Sequence, residues 1–181
     1  LRALILAATG DSVGAEASFQ RAMQLLPGDA GIMHNHGWFL CNERRFAEAD
    51  ATFDRAIAVP RYDGLARSWM AKGVCLARAG RWADAERALS RSYEIDPTSP
   101  VTAYNLSEVL LRRGELERAR FYVGRINAVP EQVNAQSLWL AARIERRLGD
   151  TSAVMDYGRR LRDRFPQSTE ALQFDRGRFD D

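Results

Sequence analysis

The sequence predicts an all-α protein built as a stacked array of helix pairs. Three observations carry that expectation. Turn residues recur at a nearly fixed spacing, at Gly10, Arg44, Gly80, Gly114 and Gly149, separated by 34, 36, 34 and 35 residues. Five positions after each turn stands a small or modest residue: Ala15, Ala49, Ala85, Ala119 and Val154. Prolines close the units at Pro27, Pro60, Pro97, Pro130 and Pro166. Self-similarity at this period marks a repeat architecture, in which no unit buries its apolar stripe alone and neighbours must stack.

Each part of a unit has a physical reason. The turn between two antiparallel helices wants glycine, because the chain leaves the first helix in a left-handed conformation. The alanine lets the second helix approach the first. The residue one turn later, at Phe19, Phe53, Leu89, Val123 and Gly158, fills the gap beside it, so the fifth unit is worn there. Proline stops the second helix. These signals place helix pairs at about 1–9 with 12–25, 30–43 with 46–58, 65–78 with 82–94, 100–112 with 116–127, and 132–147 with 151–164. A short helix over about 168–176 caps the array. The chain reads as one domain, 1–181, with repeats at about 1–28, 29–63, 64–98, 99–131 and 132–167 and a cap at 168–181. An insertion at Pro60–Asp63 lengthens the second connection.

The spelling of these units resembles the tetratricopeptide-repeat (TPR) family over essentially the whole chain. Trp69, Gly73, Leu76, Gly80, Trp82, Ala85, Leu89 and Pro97 match its pattern in the third unit; Gly37, Leu40, Phe46, Ala49, Phe53 and Ala56 match in the second. The fourth keeps Leu106, Leu110, Gly114, Ala119 and Pro130. The resemblance implies about five helix pairs in a right-handed superhelical solenoid plus a short C-terminal helix.

Composition excludes several classes. Apolar residues make up 46% and charged residues 28%, too apolar a chain for intrinsic disorder. The formal net charge of +2 lacks the excess a general nucleic-acid binder concentrates on one face. No stretch approaches the roughly 20 apolar residues of a membrane span. No phosphate-binding, dinucleotide-binding or nucleophile-elbow motif occurs, so no enzyme activity and no cofactor are expected. His34 and His36, the two histidines, lie two apart on a predicted helix and point to different faces, so no metal site is expected. Arg143, Arg146, Arg147, Arg159, Arg160, Arg162 and Arg164 make the C-terminal third basic, either a solvated face or a match for an acidic partner.

Cys41 and Cys75 fall on first helices of adjacent units, two positions apart in repeat register. A disulfide needs Cα atoms about 4.4–6.8 Å apart. The small residues Gly37, Ala71 and Gly73 favour such an approach, and spacing alone leaves a bridge and two buried thiols both open.

In the TPR family the first helices line a concave groove. That register assigns to the groove His34, Asn35, Trp38 and Asn42; Met70, Val74 and Arg78; Tyr104, Asn105, Glu108 and Arg112; and Trp139 and Arg143, with Arg146 beyond. Aromatic and methionine anchors beside amide and guanidinium donors suit protein recognition; packing between repeats is the competing use, for Trp38 and Trp139 above all.

One subfamily is nearer. Asn35-His36-Gly37-Trp38-Phe39-Leu40-Cys41 followed by Arg45-Phe46-Ala47-Glu48-Ala49, the linker Ile57-Ala58-Val59-Pro60-Arg61-Tyr62, and the ending Tyr157-Gly158…Leu161…Arg164-Phe165-Pro166-Gln167-Ser168-Thr169-Glu170 resemble segments of the type IV pilus biogenesis and stability proteins, the PilF/PilW type. The resemblance implies a non-enzymatic pilotin: a periplasmic lipoprotein on the inner leaflet of the bacterial outer membrane, whose protein partner is the pilus secretin and whose action supports twitching motility. The family's lipidated cysteine would precede Leu1. No nucleic acid and no small-molecule substrate are expected. Periplasmic residence, and the matching cysteine pair in some members, imply a Cys41–Cys75 disulfide. The alternatives are a generic cell-envelope TPR scaffold or a TPR accessory part of a larger enzyme.

Overall fold

A computed structural model describes residues 1–179, and among them it contains eleven α-helices and no strand. The chain divides into two compact units, Leu1–Pro97 and the residues from Thr98 onward. Among the described residues no helix is long and apolar enough to cross a membrane.

The first unit holds α1 (Arg2–Ala8), α2 (Ser12–Leu25), α3 (Ala30–Asn42), α4 (Phe46–Ile57), α5 (Leu65–Arg78) and α6 (Trp82–Ile95). Consecutive helices pair as α1 with α2, α3 with α4 and α5 with α6, and α5 also packs on both α3 and α4. The small residues do what the spacing anticipates. Ala15, Ala49 and Ala85 are wholly buried where second helix meets first. Opposite them, glycines on the first helices receive large side chains of the second. A Cβ added at Gly37 would stand 3.0 Å from the Phe53 ring, and one at Gly73 would stand 2.6 Å from Leu89 Cγ. Phe53 and Leu89 are fully buried in those seats, and full burial of such side chains contributes about 1.5–3 kcal/mol each.

The second unit holds α7 (Pro100–Arg113), α8 (Leu116–Asn127), α9 (Ala135–Leu148), α10 (Thr151–Arg164) and α11 (Thr169–Asp175). Here α7 pairs with α8 and α9 with α10, while α11 lies against both α9 and α10. The fifth repeat's worn position has a physical compensation. A Cβ at Gly158 would fall 2.1 Å from the tip of Phe174, so the ring missing from α10 is supplied by α11. Phe174 joins Leu138, Trp139, Leu161 and Phe179 in one buried cluster.

All five turns between paired helices use one hydrogen-bond pattern. The amides of Asp11, Arg45, Arg81, Glu115 and Asp150 donate to the carbonyls of Leu6, Leu40, Leu76, Leu110 and Glu145, at 2.9 to 3.0 Å. This is the left-handed helix-ending motif. Four of its left-handed residues are glycines, with φ from +76° to +84°; the fifth is Arg44 at φ 60°.

Helix ends follow the sequence closely except at α9, which begins at Ala135 rather than near 132. The Asn134 side chain accepts the Ser137 amide at 2.9 Å, and the Asn134 amide donates to the Ser137 hydroxyl at 3.1 Å. That reciprocal capping box fixes the start. The preceding Val129–Gln132 turn, closed by the Gln132 amide on the Val129 carbonyl, keeps those residues out of the helix.

Candidate protein-binding site

Contacts between equivalent first helices link residues one repeat apart: His34 with Ser68, Cys41 with Cys75, Asn42 with Arg78, and Glu108 with Arg143. This one-period rule builds a separate candidate face in each unit.

In the first unit the face lies on α3 and α5. Cys41 and Cys75 are disulfide-bonded, with Cα atoms 5.8 Å apart, and fasten one helix to the other. Next to that bond the Arg78 guanidinium lies 4.9 Å from the centre of the Trp38 ring. Arg78 also donates to the Asn42 side-chain oxygen at 2.9 Å. Trp38, Arg78 and Asn42 therefore form a pre-set group: an aromatic plane, a cation over it and an amide oxygen that holds the cation in place. Asn42 and Arg78 are exposed, while Asn35, Trp38, Met70 and Val74 are half-buried.

His34 departs from the expected groove-facing role. It is buried, 2.9 Å from the Ser68 hydroxyl, which in turn donates to the Tyr62 hydroxyl at 3.1 Å. Burial, with the nearby positive Arg67, pushes its pKa down to about 4. A neutral imidazole in a hydrogen-bonded chain is an inter-repeat strut. His36 is also buried, with Nε2 3.3 Å from a Glu16 carboxylate oxygen. Among the described residues no group of His, Cys, Asp or Glu is arranged to hold a metal.

In the second unit the face lies on α7 and α9. The Tyr104 hydroxyl donates to Glu108 at 3.4 Å, and Glu108 accepts from Arg143 at 3.2 Å. Burial, then the Glu108 charge, raises the Tyr104 pKa to about 12. Asn105 is half-buried with its amide nitrogen bound to the Val101 carbonyl at 2.8 Å, and Arg112 is exposed. A cavity of about 450 Å³ elsewhere, in the first unit, is lined by interlocked ion pairs such as Arg81–Asp50. A cavity of about 330 Å³ in the second unit is bordered by Val101, Tyr104, Asn105 and Gln136.

Trp139 is the second correction. It lies 8% exposed, beneath Phe174 and Phe179, with ring centroids 6.3 and 4.9 Å away. Sequence register placed it correctly on α9 but could not see that the C-terminal segment covers it. Two further residues escaped sequence reasoning. Glu145 is buried and paired with Arg120 of α8, and Phe179 packs on α9. The signal for Phe179 was present: it stands 36 residues after Arg143, one period on.

The TPR family profile, described as tetratricopeptide repeat, matches residues 40–100 and again 76–144. The crystal structure of PilW, a widely conserved type IV pilus biogenesis factor, superposes with a TM-score of 0.86 at 33% identity, covering 95% of this chain and 79% of that one. The chain belongs to the TPR proteins of type IV pilus biogenesis. The type IV pilus assembly protein PilF of Pseudomonas aeruginosa is 24% identical over 160 residues, 88% of this chain. The chain spans 63% of that relative's length. The cellulose synthase operon protein C of Xanthomonas axonopodis pv. citri is 29% identical over 143 residues, 74% of this chain but only 10% of its own length. Membership of the pilus family thus accompanies a repeat that also serves inside much larger proteins.

Proposed function

We propose that the chain is a non-enzymatic adaptor of the bacterial cell envelope that holds a protein partner during type IV pilus assembly. The observation that carries the reading is the match to PilW across nearly the whole chain at 33% identity. The two faces support it. Trp38 under Arg78, and Tyr104 beside Glu108 and Arg143, are anchors and donors of the kind that grip a peptide segment. The finer role is that of a pilotin. The partner is the pilus secretin, which the protein helps to reach the outer membrane and to multimerise there, supporting pilus biogenesis and twitching motility. The protein acts from the periplasm, held to the inner leaflet of the outer membrane by a lipid on a cysteine that precedes Leu1 in the full precursor.

Deletion of the gene in its native bacterium tests this directly. The expected result is loss of detergent-resistant secretin multimers from the outer membrane, with loss of surface pili, both restored by the gene in trans. Normal multimers and normal pili in the deletion strain would exclude the role. A second reading, a general envelope TPR scaffold or the TPR part of a larger assembly, is favoured by the similarity to the cellulose synthase operon protein. It predicts intact secretin multimers together with an envelope defect of another kind.

A further inference from the structure

The C-terminal segment makes a turn that the repeats have already made five times. Gly177 is left-handed at φ 66°, and the Arg178 amide donates to the Gln173 carbonyl at 3.0 Å, the same pattern that joins paired helices elsewhere. The turn sends the chain back over α9 and seats Phe179 there. The seat has a distinct chemistry. The Phe179 ring rests 4.9 Å from Trp139 and 5.5 Å from Phe174. The Arg146 guanidinium lies over the ring at 4.4 Å, and Arg143 Nε donates to the Phe179 carbonyl at 3.3 Å.

Trp139, Arg143 and Arg146 are the residues that repeat register assigns to the ligand side of α9. The same Arg143 holds Glu108, and through it Tyr104, on the neighbouring helix of the second unit. Phe179 therefore occupies part of the candidate face as a peptide would, with its ring in an aromatic slot and its backbone held by a guanidinium. We infer that this seat on α9 receives an aromatic side chain from an acidic segment of the protein partner, and that Phe179 is a resident self-ligand which the partner displaces. The inference rests on the adaptor reading and adds to it a partner chemistry and a means of regulation. The acidic character follows from charge. Arg146 lies over the ring, Arg143 holds the Phe179 carbonyl while it also binds Glu108, and in the sequence Phe179 is itself followed by Asp180 and Asp181. A tethered ligand competes at an effective concentration in the millimolar range, enough to mask a weak site without closing it.

The test uses two proteins, the full chain and the chain ending at Arg178, with circular dichroism confirming that both are folded. The probes are the peptide Arg-Gly-Arg-Phe-Asp-Asp, its Phe→Ala form, and a Gly/Ser peptide carrying only Phe-Asp-Asp, each titrated while the Trp139 indole N–H is followed by NMR. The expected result is a saturable shift in the shortened chain with both Phe-Asp-Asp peptides and none with the alanine form. In the full chain the apparent affinity is about tenfold weaker, and Phe179→Ala in the full chain relieves that masking. Arg146→Gln weakens binding in the shortened chain. Should the shortened chain fail to fold, the Phe179→Ala full chain serves as the open form. No shift in a folded open form, equal binding by the alanine peptide, or equal affinity in masked and open forms overturns the inference. So does a concentration-dependent dimer of the full chain, because the seat would then be filled by a second copy. Each of these failures leaves the deletion phenotype untouched, so the adaptor reading stands or falls separately.

Discussion

At the scale of single residues, the structure turns on pairs of small and large side chains that meet across helices. Gly37 with Phe53 and Gly73 with Leu89 follow the repeat spelling, whereas Gly158 with Phe174 does not. The sequence exposes Gly158 as a defect in the pattern. Its complement is invisible there, because it comes from a different helix sixteen positions on, outside the period. Phe174→Ala should therefore destabilise the second unit by about 3 kcal/mol, the usual cost of emptying a buried aromatic seat. Urea unfolding followed by far-ultraviolet circular dichroism measures it. His34 gives a second expectation. Its folded pKa, about 4, lies below the ordinary value of 6.5. As pH falls through 6.5 the unfolded chain takes up a proton that the folded chain refuses, so stability is lost between pH 6.5 and 4 and levels below. The loss from this one group is on the order of 3 kcal/mol. Unfolding curves from pH 7 to 4 should show a shallower decline for His34→Gln than for the natural protein; parallel declines would mean that His34 titrates normally.

At the scale of elements, the repeat period made the helices legible because it reports packing as well as propensity. Ten helices lie where turn glycines, caps and prolines put them, and α9 starts late because a local asparagine–serine box outweighs the apolar pattern. The wholly buried alanines set the distance between paired helices. Ala49→Leu or Ala85→Leu should overpack that contact and cost about 1–3 kcal/mol, read as a lowered Tm. An unchanged Tm in both would mean that the helices do not meet at those residues. The bridge between α3 and α5 closes a 34-residue separation. Removing it by Cys41→Ala with Cys75→Ala should cost the first unit about 2–4 kcal/mol, mainly through the freer unfolded chain. Mass spectrometry of unreduced protein should find two hydrogens fewer than after reduction. On spacing alone the two cysteines could equally have been free thiols; the closeness of the two helices decides the matter, and spacing does not report it.

At the scale of the whole molecule, what the sequence conveyed best was the kind of protein, and what it conveyed least was which register positions stay open. Register names a face from helical geometry, but exposure depends on what else folds over it. Trp38 keeps a cation above its ring and an amide beside it, while Trp139 lies under a phenylalanine from the C-terminal segment, and His34 is drawn into a buried hydrogen-bonded chain. The central claim is that these aromatic and polar faces are the working surface of a pilus-assembly adaptor. The measurement that bears on it most directly is complementation of the deletion strain by Trp38→Ala combined with Tyr104→Ala, with circular dichroism confirming the fold. Loss of an anchor commonly weakens binding by about 2 kcal/mol or more, roughly thirtyfold. The expected result is a folded protein present at normal levels, with secretin multimers and surface pili sharply reduced. A folded double variant that supports normal multimers and normal pilus-driven motility would contradict the account.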